Sequence, residues 1–94
     1  MTLVFEAVLI EWRGPAPFVF APLPEDAAQA IRQVAKEASY GWGCIPVSAV
    51  ANGSPFTTSL FPKNGGYLLP IKVSVQRTTG LGVGDVASLQ IDLP

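Results

Sequence analysis

The chain has 94 residues and a net charge of −1, and 49% of its residues are hydrophobic while 14% are charged. This length predicts a single domain, residues 1–94, with a modest core, and the charge argues against a strong nucleic-acid binder, whose affinity comes largely from neutralising phosphates. The charged fraction lies well below the value of about 25% in an average soluble domain. Together with a mean hydropathy of +0.38, it predicts either a very full core or an apolar face that another subunit covers, and we favour a homo-oligomer.

The residue inventory excludes several classes of chemistry. The sequence has no histidine and a single cysteine, Cys44. Serine and cysteine triads need a histidine base, and zinc sites are built mostly from His and Cys, so we expect no catalytic group, metal or cofactor. Cys44 is interpreted as a buried structural thiol, with a reactive thiol as the alternative. Without a disulfide, a signal peptide or an apolar membrane span in the sequence, we expect a cytoplasmic protein that does not contact membranes.

Residues 2–12 predict the first strand, because they are rich in β-branched and aromatic types. Apolar side chains occupy both faces, so the strand is expected in the middle of a barrel or sandwich. One face carries Val4, Val8, Ile10 and Trp12, and the other carries Leu3, Phe5, Ala7 and Leu9. Glu6 shares the first of these faces and is either a carboxyl group that lines the barrel or a rim carboxylate paired with a basic side chain.

The next segment predicts a hairpin followed by a helix. A turn with two prolines leads to a short strand at residues 18–21 that pairs back on the first strand. A helix over residues 24–38 follows, because Pro24 suits the first turn and acidic side chains suit the positive end of the helix dipole. Its alanine, isoleucine and valine residues have helical spacing.

The middle of the chain predicts three more strands. A glycine-rich connector at residues 40–44 precedes a strand at 45–51, whose Val47, Ala49 and Ala51 share a face. The Asn52-Gly53 pair is typical of a type I′ hairpin turn and is followed by a return strand over 54–61.

The return strand leads into a loop and another short strand. Residues 62–66 are expected to form the loop, with Pro62, Gly65 and Gly66 shaping it, before a strand at 67–71.

The last part of the chain is ambiguous at one point. Residues 72–79 have the composition of a strand but the flanking residues of a short helix. Residues 80–85 predict a tight loop in which Asp85 accepts backbone hydrogen bonds. Their glycine spacing does not fit a dinucleotide-binding loop, and no long helix follows. The strict alternation in 86–93 predicts a half-buried closing strand with Ala87, Leu89, Ile91 and Leu93 inward.

Several short motifs, in this order and spacing, resemble a small bacterial family, the domain of unknown function 1905. They are Gly41-Trp-Gly, Val47-x-Ala49, Asn52-Gly53, Phe56-Thr-Thr-Ser-Leu-Phe-Pro-Lys63, Gly66-Tyr-Leu-Leu-Pro-Ile-Lys72 and Gly80-Leu-x-x-Gly84-Asp85. The resemblance covers nearly the whole chain, including the opening strand and the helix start at Leu23-Pro24-Glu25.

The resemblance implies a mainly β fold, a small and partly open barrel of the double-split type. We expect about six strands, the helix at 24–38 and, from the resemblance, a short helix at 72–79. The same class of barrel includes dimeric regulators and antitoxins that bind DNA. This chain has Gln76-Arg77 where relatives often carry two adjacent basic residues, which weakens a phosphate-binding role.

One charge asymmetry predicts a binding site. Between Ala38 and Gly84 the chain has no acidic residue, and its basic residues are Lys63, Lys72 and Arg77. If the fold brings them together near Thr57, Thr58 and Ser59, they form an anion patch for a carboxylate or phosphate. The alternative is three independent surface cations. Trp12, Tyr40 and Trp42 could line a ligand pocket or an interface, or belong to the core or its rim.

Three functional hypotheses follow. The first is a non-enzymatic binding or interaction module that forms a homo-oligomer. The second is a DNA-binding regulator, by analogy with the double-split barrels, although a fold alone does not define a function. The third is a binder of small anionic ligands, or an enzyme, that uses the patch of Lys63, Lys72 and Arg77.

Overall fold

A computed structural model describes residues 1–12, 18–38 and 44–93, with side chains described except at residues 35–38. These residues form antiparallel strands and two helices, which confirms a mainly β fold. The strands are β1 (Thr2–Val8), β2 (Ile10–Trp12), β3 (Phe18–Pro22), β4 (Ile45–Ala51), β5 (Ser54–Lys63), β6 (Gly66–Ile71) and β7 (Val86–Asp92). The helices are α1 (Glu25–Ala38) and α2 (Val73–Thr79). The glycine-rich connector predicted at 40–44 falls largely outside the described residues.

The strands form one curled sheet in the order β1-β7-β4-β5-β6-β3-β2. Its two ends, β1 and β2, are one continuous stretch of chain interrupted at Leu9. Leu9 is fully buried, and its backbone bonds to Asp85 and Gly84 at 2.9 Å each. The bend at Leu9 therefore lets a single segment end the sheet at both sides, so the sheet curls into a partly open barrel.

The long strand β5 divides in a similar way. Its residues 54–60 pair with β4, and its residues 61–63 pair with β6. The barrel thus has two halves, which we call the β4 half (β1, β7, β4 and residues 54–60) and the β6 half (β2, β3, β6 and residues 61–63). Two continuous segments, residues 2–12 and β5, each contribute to both halves, which is the double-split arrangement that the family resemblance implied.

The core lies between the two halves and under α1. Alternate residues of the strands point inward, and Ala27, Ala28 and Ile31 of α1 join them. The largest fully buried side chains are Leu9, Ile31, Ile45, Leu60, Leu69, Leu89 and Ile91. Arg32 fixes the helix from outside, because it donates to the Gly65 carbonyl at 2.5 Å and bonds to Glu25 at 2.6 Å.

Most predicted elements are confirmed. The helix, the Ile45–Ala51 strand and the closing strand lie where the sequence placed them. The two strands have the predicted inward faces, and Ala27, Ala28 and Ile31 are buried on the predicted face of the helix. Residues 72–79, whose composition fitted a strand and whose flanking residues fitted a helix, contain the helix α2, as the resemblance implied. The helix is followed by Gly80, which has the left-handed conformation. Asp85 accepts from the Gly82 N–H at 2.8 Å, as expected for the tight loop.

The prediction for the first strand is wrong in two respects. It is two strands rather than one, and neither lies in the middle of the sheet, because β1 pairs only with β7 and β2 only with β3 among the described strands. Val4 is 76% exposed and Val8 is 52% exposed, so the face that carries Val4, Val8, Ile10 and Trp12 is not in the core. Glu6 is exposed on that same face, and the barrel-lining interpretation of this carboxyl group is also wrong.

The loop predicted at 62–66 is wrong as well. Pro62 and Lys63 still belong to β5, and Gly66 already belongs to β6. The turn consists of Asn64 and Gly65 alone, which have φ angles of 50° and 79°. This is a second Asn-Gly hairpin turn of the same kind as Asn52-Gly53, whose φ angles are 45° and 84°.

Candidate functional site

The β6 half has an outer face that is apolar from strand to strand. Residues that pair across antiparallel strands point to the same face of a sheet. Trp12 pairs with Phe18, and Ile10 pairs with Phe20. Phe20 in turn pairs with Pro70, and Phe61 pairs with Leu68. Because the other face supplies Ala21, Leu69 and Ile71 to the core, β3 and β6 are apolar on both sides.

A groove of about 900 Å³ lies on this outer face and is called the aromatic groove below. Its apolar lining comes from β2, β3, β5, β6 and the start of α2. These residues are Trp12, Phe18, Val19, Phe20, Phe61, Pro62, Leu68, Pro70, Ile71 and Val73. A volume of this size is within the range of about 300–1,000 Å³ that holds drug-sized ligands.

Three phenylalanine rings form the centre of the aromatic groove. Phe20 is buried and makes its floor, while Phe18 and Phe61 are about half exposed at its sides. The Phe18 and Phe20 ring centroids are 6.1 Å apart, and the Phe20 and Phe61 rings meet edge to face at 6.3 Å. Such contacts hold the rings in defined orientations, so the groove is formed before any ligand arrives.

The charged residues that line the aromatic groove, among the described residues, are both cations. They are Lys63 and Lys72, and the remaining polar lining is Thr58 and Gln76. The Lys63 Nζ atom lies 3.5 Å from the centroid of the Trp12 ring, a cation–π contact that holds this ammonium group at the groove. The Gln76 amide donates to the Ile71 carbonyl at 2.9 Å and is held in the same way. The groove therefore combines an apolar body with positive charge.

A second groove of about 650 Å³ lies on the side of the β4 half and is called the hydroxyl groove below. Its polar lining is Ser48, Thr57, Thr58, Ser59, Lys72 and Asp92. Asp92 accepts a hydrogen bond from the Thr2 hydroxyl and one from the Gln90 amide at 3.5 Å. The hydroxyl groove is thus polar but carries charges of both signs.

The structure divides the anion patch predicted from the sequence. Thr57, Thr58, Ser59 and Lys72 line the hydroxyl groove. Lys63 lines the aromatic groove instead, together with Lys72 and Thr58. Arg77 is exposed in the last turn of α2 and lines neither groove. A binding role for these residues stays a prediction.

Sequence reasoning found Trp12 as a pocket candidate but missed the phenylalanines and prolines of the aromatic groove. These residues come from separate strands, and only the strand order brings them to one face. One signal could have indicated them. In 18–22 and 66–71 both alternating sets of side chains are apolar, yet only one set can face the core. Such strands are typical of a sheet that is covered on its second face.

The sequence offers one further candidate for chemistry, the thiol group of Cys44. Cys44 is half-buried just before β4, not fully buried as expected. Within the described ranges, no group of three or more His, Cys, Asp or Glu residues is placed to hold a metal ion. The two helices of the described part of the chain are too short or too polar to span a membrane.

Comparison with known protein families identifies a family that covers most of the chain. The model of a family described as a domain of unknown function, DUF1905, matches residues 5–91. The matched region contains every strand of the barrel except the first residues of β1 and the last residue of β7. No curated protein matches the sequence.

Proposed function

Because this chain belongs to the DUF1905 family of domains of unknown function, we propose from its own geometry that it is a non-enzymatic binding module whose site is the aromatic groove. The observation that carries the proposal is the apolar outer face of the β6 half, with Trp12 at 44%, Phe18 at 54% and Phe61 at 45% exposure. Leaving three aromatic side chains this exposed on one face of a small domain is costly in water unless something covers them.

The proposal that the chain is not an enzyme rests on composition. The sequence has no histidine, and its single cysteine therefore has no imidazole base. The aromatic groove is lined mainly by carbon, with two lysines and no carboxylate among the described lining residues. General acid–base work is normally done by paired groups within hydrogen-bond reach, which this lining does not offer.

We propose in addition that the chain forms a homo-oligomer through the free edge of β1. The backbone of Met1 pairs with Leu93 and that of Leu9 with Asp85, both at 2.9 Å. Hydrogen bonding alternates along antiparallel strands, so the even-numbered residues of β1 direct their N–H and C=O groups away from β7. In the described part of the chain no strand occupies that side, and an open edge of this length favours pairing with another chain.

A DNA-binding role, which the double-split class suggests, has less support. The net charge is −1, and the Lys63 ammonium group faces the Trp12 ring. Cytoplasmic location is likewise a proposal, supported by the absence of any cysteine pair in the sequence.

A neutral apolar fluorophore, N-phenyl-1-naphthylamine, tests the binding function. We expect the wild-type protein to bind it with increased fluorescence, and the variant Phe18→Gln to bind it about five- to tenfold more weakly, because one wall of the groove is lost. The matched control is Val83→Gln, since Val83 is 53% exposed in the 80–85 loop, away from the groove lining. Equal binding by both variants, or no binding by the folded wild-type protein, would contradict the proposal.

A further inference from the structure

The aromatic groove and the hydroxyl groove meet at two residues. Thr58 and Lys72 line both of them. Lys72 lies between the end of β6 and the start of α2, in an extended conformation, and its carbonyl accepts from the Gln76 N–H at 3.0 Å. The backbone that carries this ammonium group is therefore fixed at the junction of an apolar cavity and a polar one.

We propose that the two grooves are one composite site for a small amphipathic anion. The apolar body of the ligand lies on the phenylalanine rings, and its carboxylate, sulfonate or phosphate group binds the Lys72 ammonium, with the Thr57, Thr58 and Ser59 hydroxyls on the polar side. This inference rests on the proposed binding function and adds the chemical class of the ligand and the direction in which it lies.

Charge complementarity determines the class of ligand. Both charged residues of the aromatic groove are lysines, so a neutral ligand would leave them without a counter-charge and a cationic ligand would be repelled. The two lysines differ in availability. Lys63 is already stacked on Trp12, whereas Lys72 is exposed and makes no side-chain hydrogen bond or ion pair with the described residues. The free ammonium group, Lys72, is the one that we assign to the anionic head of the ligand.

Asp92 limits the affinity of the hydroxyl groove for anions. Its carboxylate lies in the lining of that groove and repels an anionic head across it. Because Thr2 and Gln90 already donate to this carboxylate, its charge is partly compensated. The substitution Asp92→Asn removes this repulsion, and the oxygen of the new amide still accepts a hydrogen bond from the Thr2 hydroxyl.

The occupant that we propose is a free small molecule, not a membrane lipid. The aromatic rings line a concave groove of about 900 Å³, which matches one ring system or one medium-length chain.

The experiment therefore compares a matched pair of probes. The anionic probe is 8-anilinonaphthalene-1-sulfonate, and the neutral probe is N-phenyl-1-naphthylamine, which has the same aromatic skeleton without the sulfonate.

We expect the anionic probe to bind wild-type protein more tightly than the neutral one at low salt. Lys72→Gln should weaken binding of the anionic probe about five- to tenfold and leave the neutral probe unchanged, since one charge-assisted contact is lost. Arg77→Gln is the matched control, because it removes the same charge from an exposed residue of α2 outside both grooves. Asp92→Asn should strengthen binding of the anionic probe about two- to threefold.

Each remaining outcome overturns one idea. If the neutral probe binds at the groove but Lys72→Gln and Arg77→Gln affect the anionic probe equally, the composite site is wrong while the binding function stands. If neither probe binds the folded protein, the binding function itself fails. If vesicles with anionic lipids bind the protein in a Lys72-dependent manner while decanoate in solution does not, the ligand is a membrane surface, and the proposal of a free amphipathic anion is wrong.

Discussion

Asparagine has two different roles in this chain, although its sequence context is the same. Asn52 and Asn64 both precede glycine in a two-residue turn with positive φ angles, a conformation that asparagine tolerates better than most residues. Asn52 does more than shape its turn. Its Oδ1 atom accepts from the Ser88 N–H at 2.8 Å, and its own N–H donates to the Ser88 carbonyl at 3.0 Å. This pair of bonds ties the β4–β5 turn to β7, which lies beside β4.

The two turns provide a controlled test of how much the hydrogen bond from Ser88 to the Asn52 side chain stabilises the protein. Asn52→Gly keeps the backbone conformation but removes one hydrogen bond, so the free energy of unfolding should fall by about 1 kcal/mol. Asn64→Gly changes the unfolded chain equally but loses no side-chain hydrogen bond to the described residues, and it should stay within about 0.5 kcal/mol of wild type. Urea denaturation followed by circular dichroism measures both values. Equal costs for the two variants would show that the bond to Ser88 does not stabilise the protein.

At the scale of elements, patterns among neighbouring residues predicted the structure well. Features that depend on contacts between distant segments were not predicted. The Asn52-Gly53 turn, the helix start at Pro24 and the alternation in β7 depend on neighbours in sequence, and the structure confirms each of them. The break at Leu9 and the division of β5 depend on which strands curl past each other. A continuous apolar run gives no sign of where such a bend falls, so residues 2–12 were predicted as one strand in the middle of the sheet.

Leu9 is the residue at which that bend is packed. Its side chain is 1% exposed between β1 and β2, so Leu9→Ala leaves a cavity and should lower the free energy of unfolding by about 3 kcal/mol, within a usual range of about 2–5 kcal/mol. Val8→Ala, one residue earlier, shortens a side chain that is 52% exposed and should cost no more than about 1 kcal/mol. Guanidinium denaturation gives both numbers. A cost for Leu9→Ala as small as that for Val8→Ala would mean that the bend does not hold the two halves together.

At the scale of the whole molecule, the small fraction of charged residues in the sequence corresponds to large apolar side chains that are exposed at the surface. Apart from Met1 and Val83, the exposed large apolar side chains of the described residues occur in two regions, the aromatic groove with the outer face around it and the outer face that β1 shares with β7. Composition predicted an apolar surplus, but it could not say where the surplus lies. The candidate site could not be located for the same reason, because Lys63, Lys72 and Arg77 are close in sequence, while α2 carries Gln76 into the lining of the aromatic groove and leaves Arg77 outside both grooves.

We propose a second copy of the chain as the partner of β1 and a small ligand as the partner of the aromatic groove. The homo-oligomer can therefore be tested without a substitution in the groove. Val4 lies on β1 and is 76% exposed, so a lysine in its place should not disturb the fold of a single chain. A lysine on an edge strand opposes pairing with a second copy, because its charge would be desolvated at the new interface. We expect sedimentation velocity at high protein concentration to show a dimer or larger species for wild type and a monomer for Val4→Lys. Val83→Lys, equally charged but in the 80–85 loop, should sediment as wild type does.

The binding assay then connects the two regions. If the oligomer forms through β1, the aromatic groove stays open, and N-phenyl-1-naphthylamine should bind wild type and Val4→Lys equally well, because β1 contributes no residue to the described groove lining. A wild-type protein that remains strictly monomeric would refute the oligomer and leave the groove as the sole reason for the exposed aromatic residues. If Val4→Lys instead bound the probe more tightly, the second copy would cover the groove, and the apolar outer face of the β6 half would be the interface.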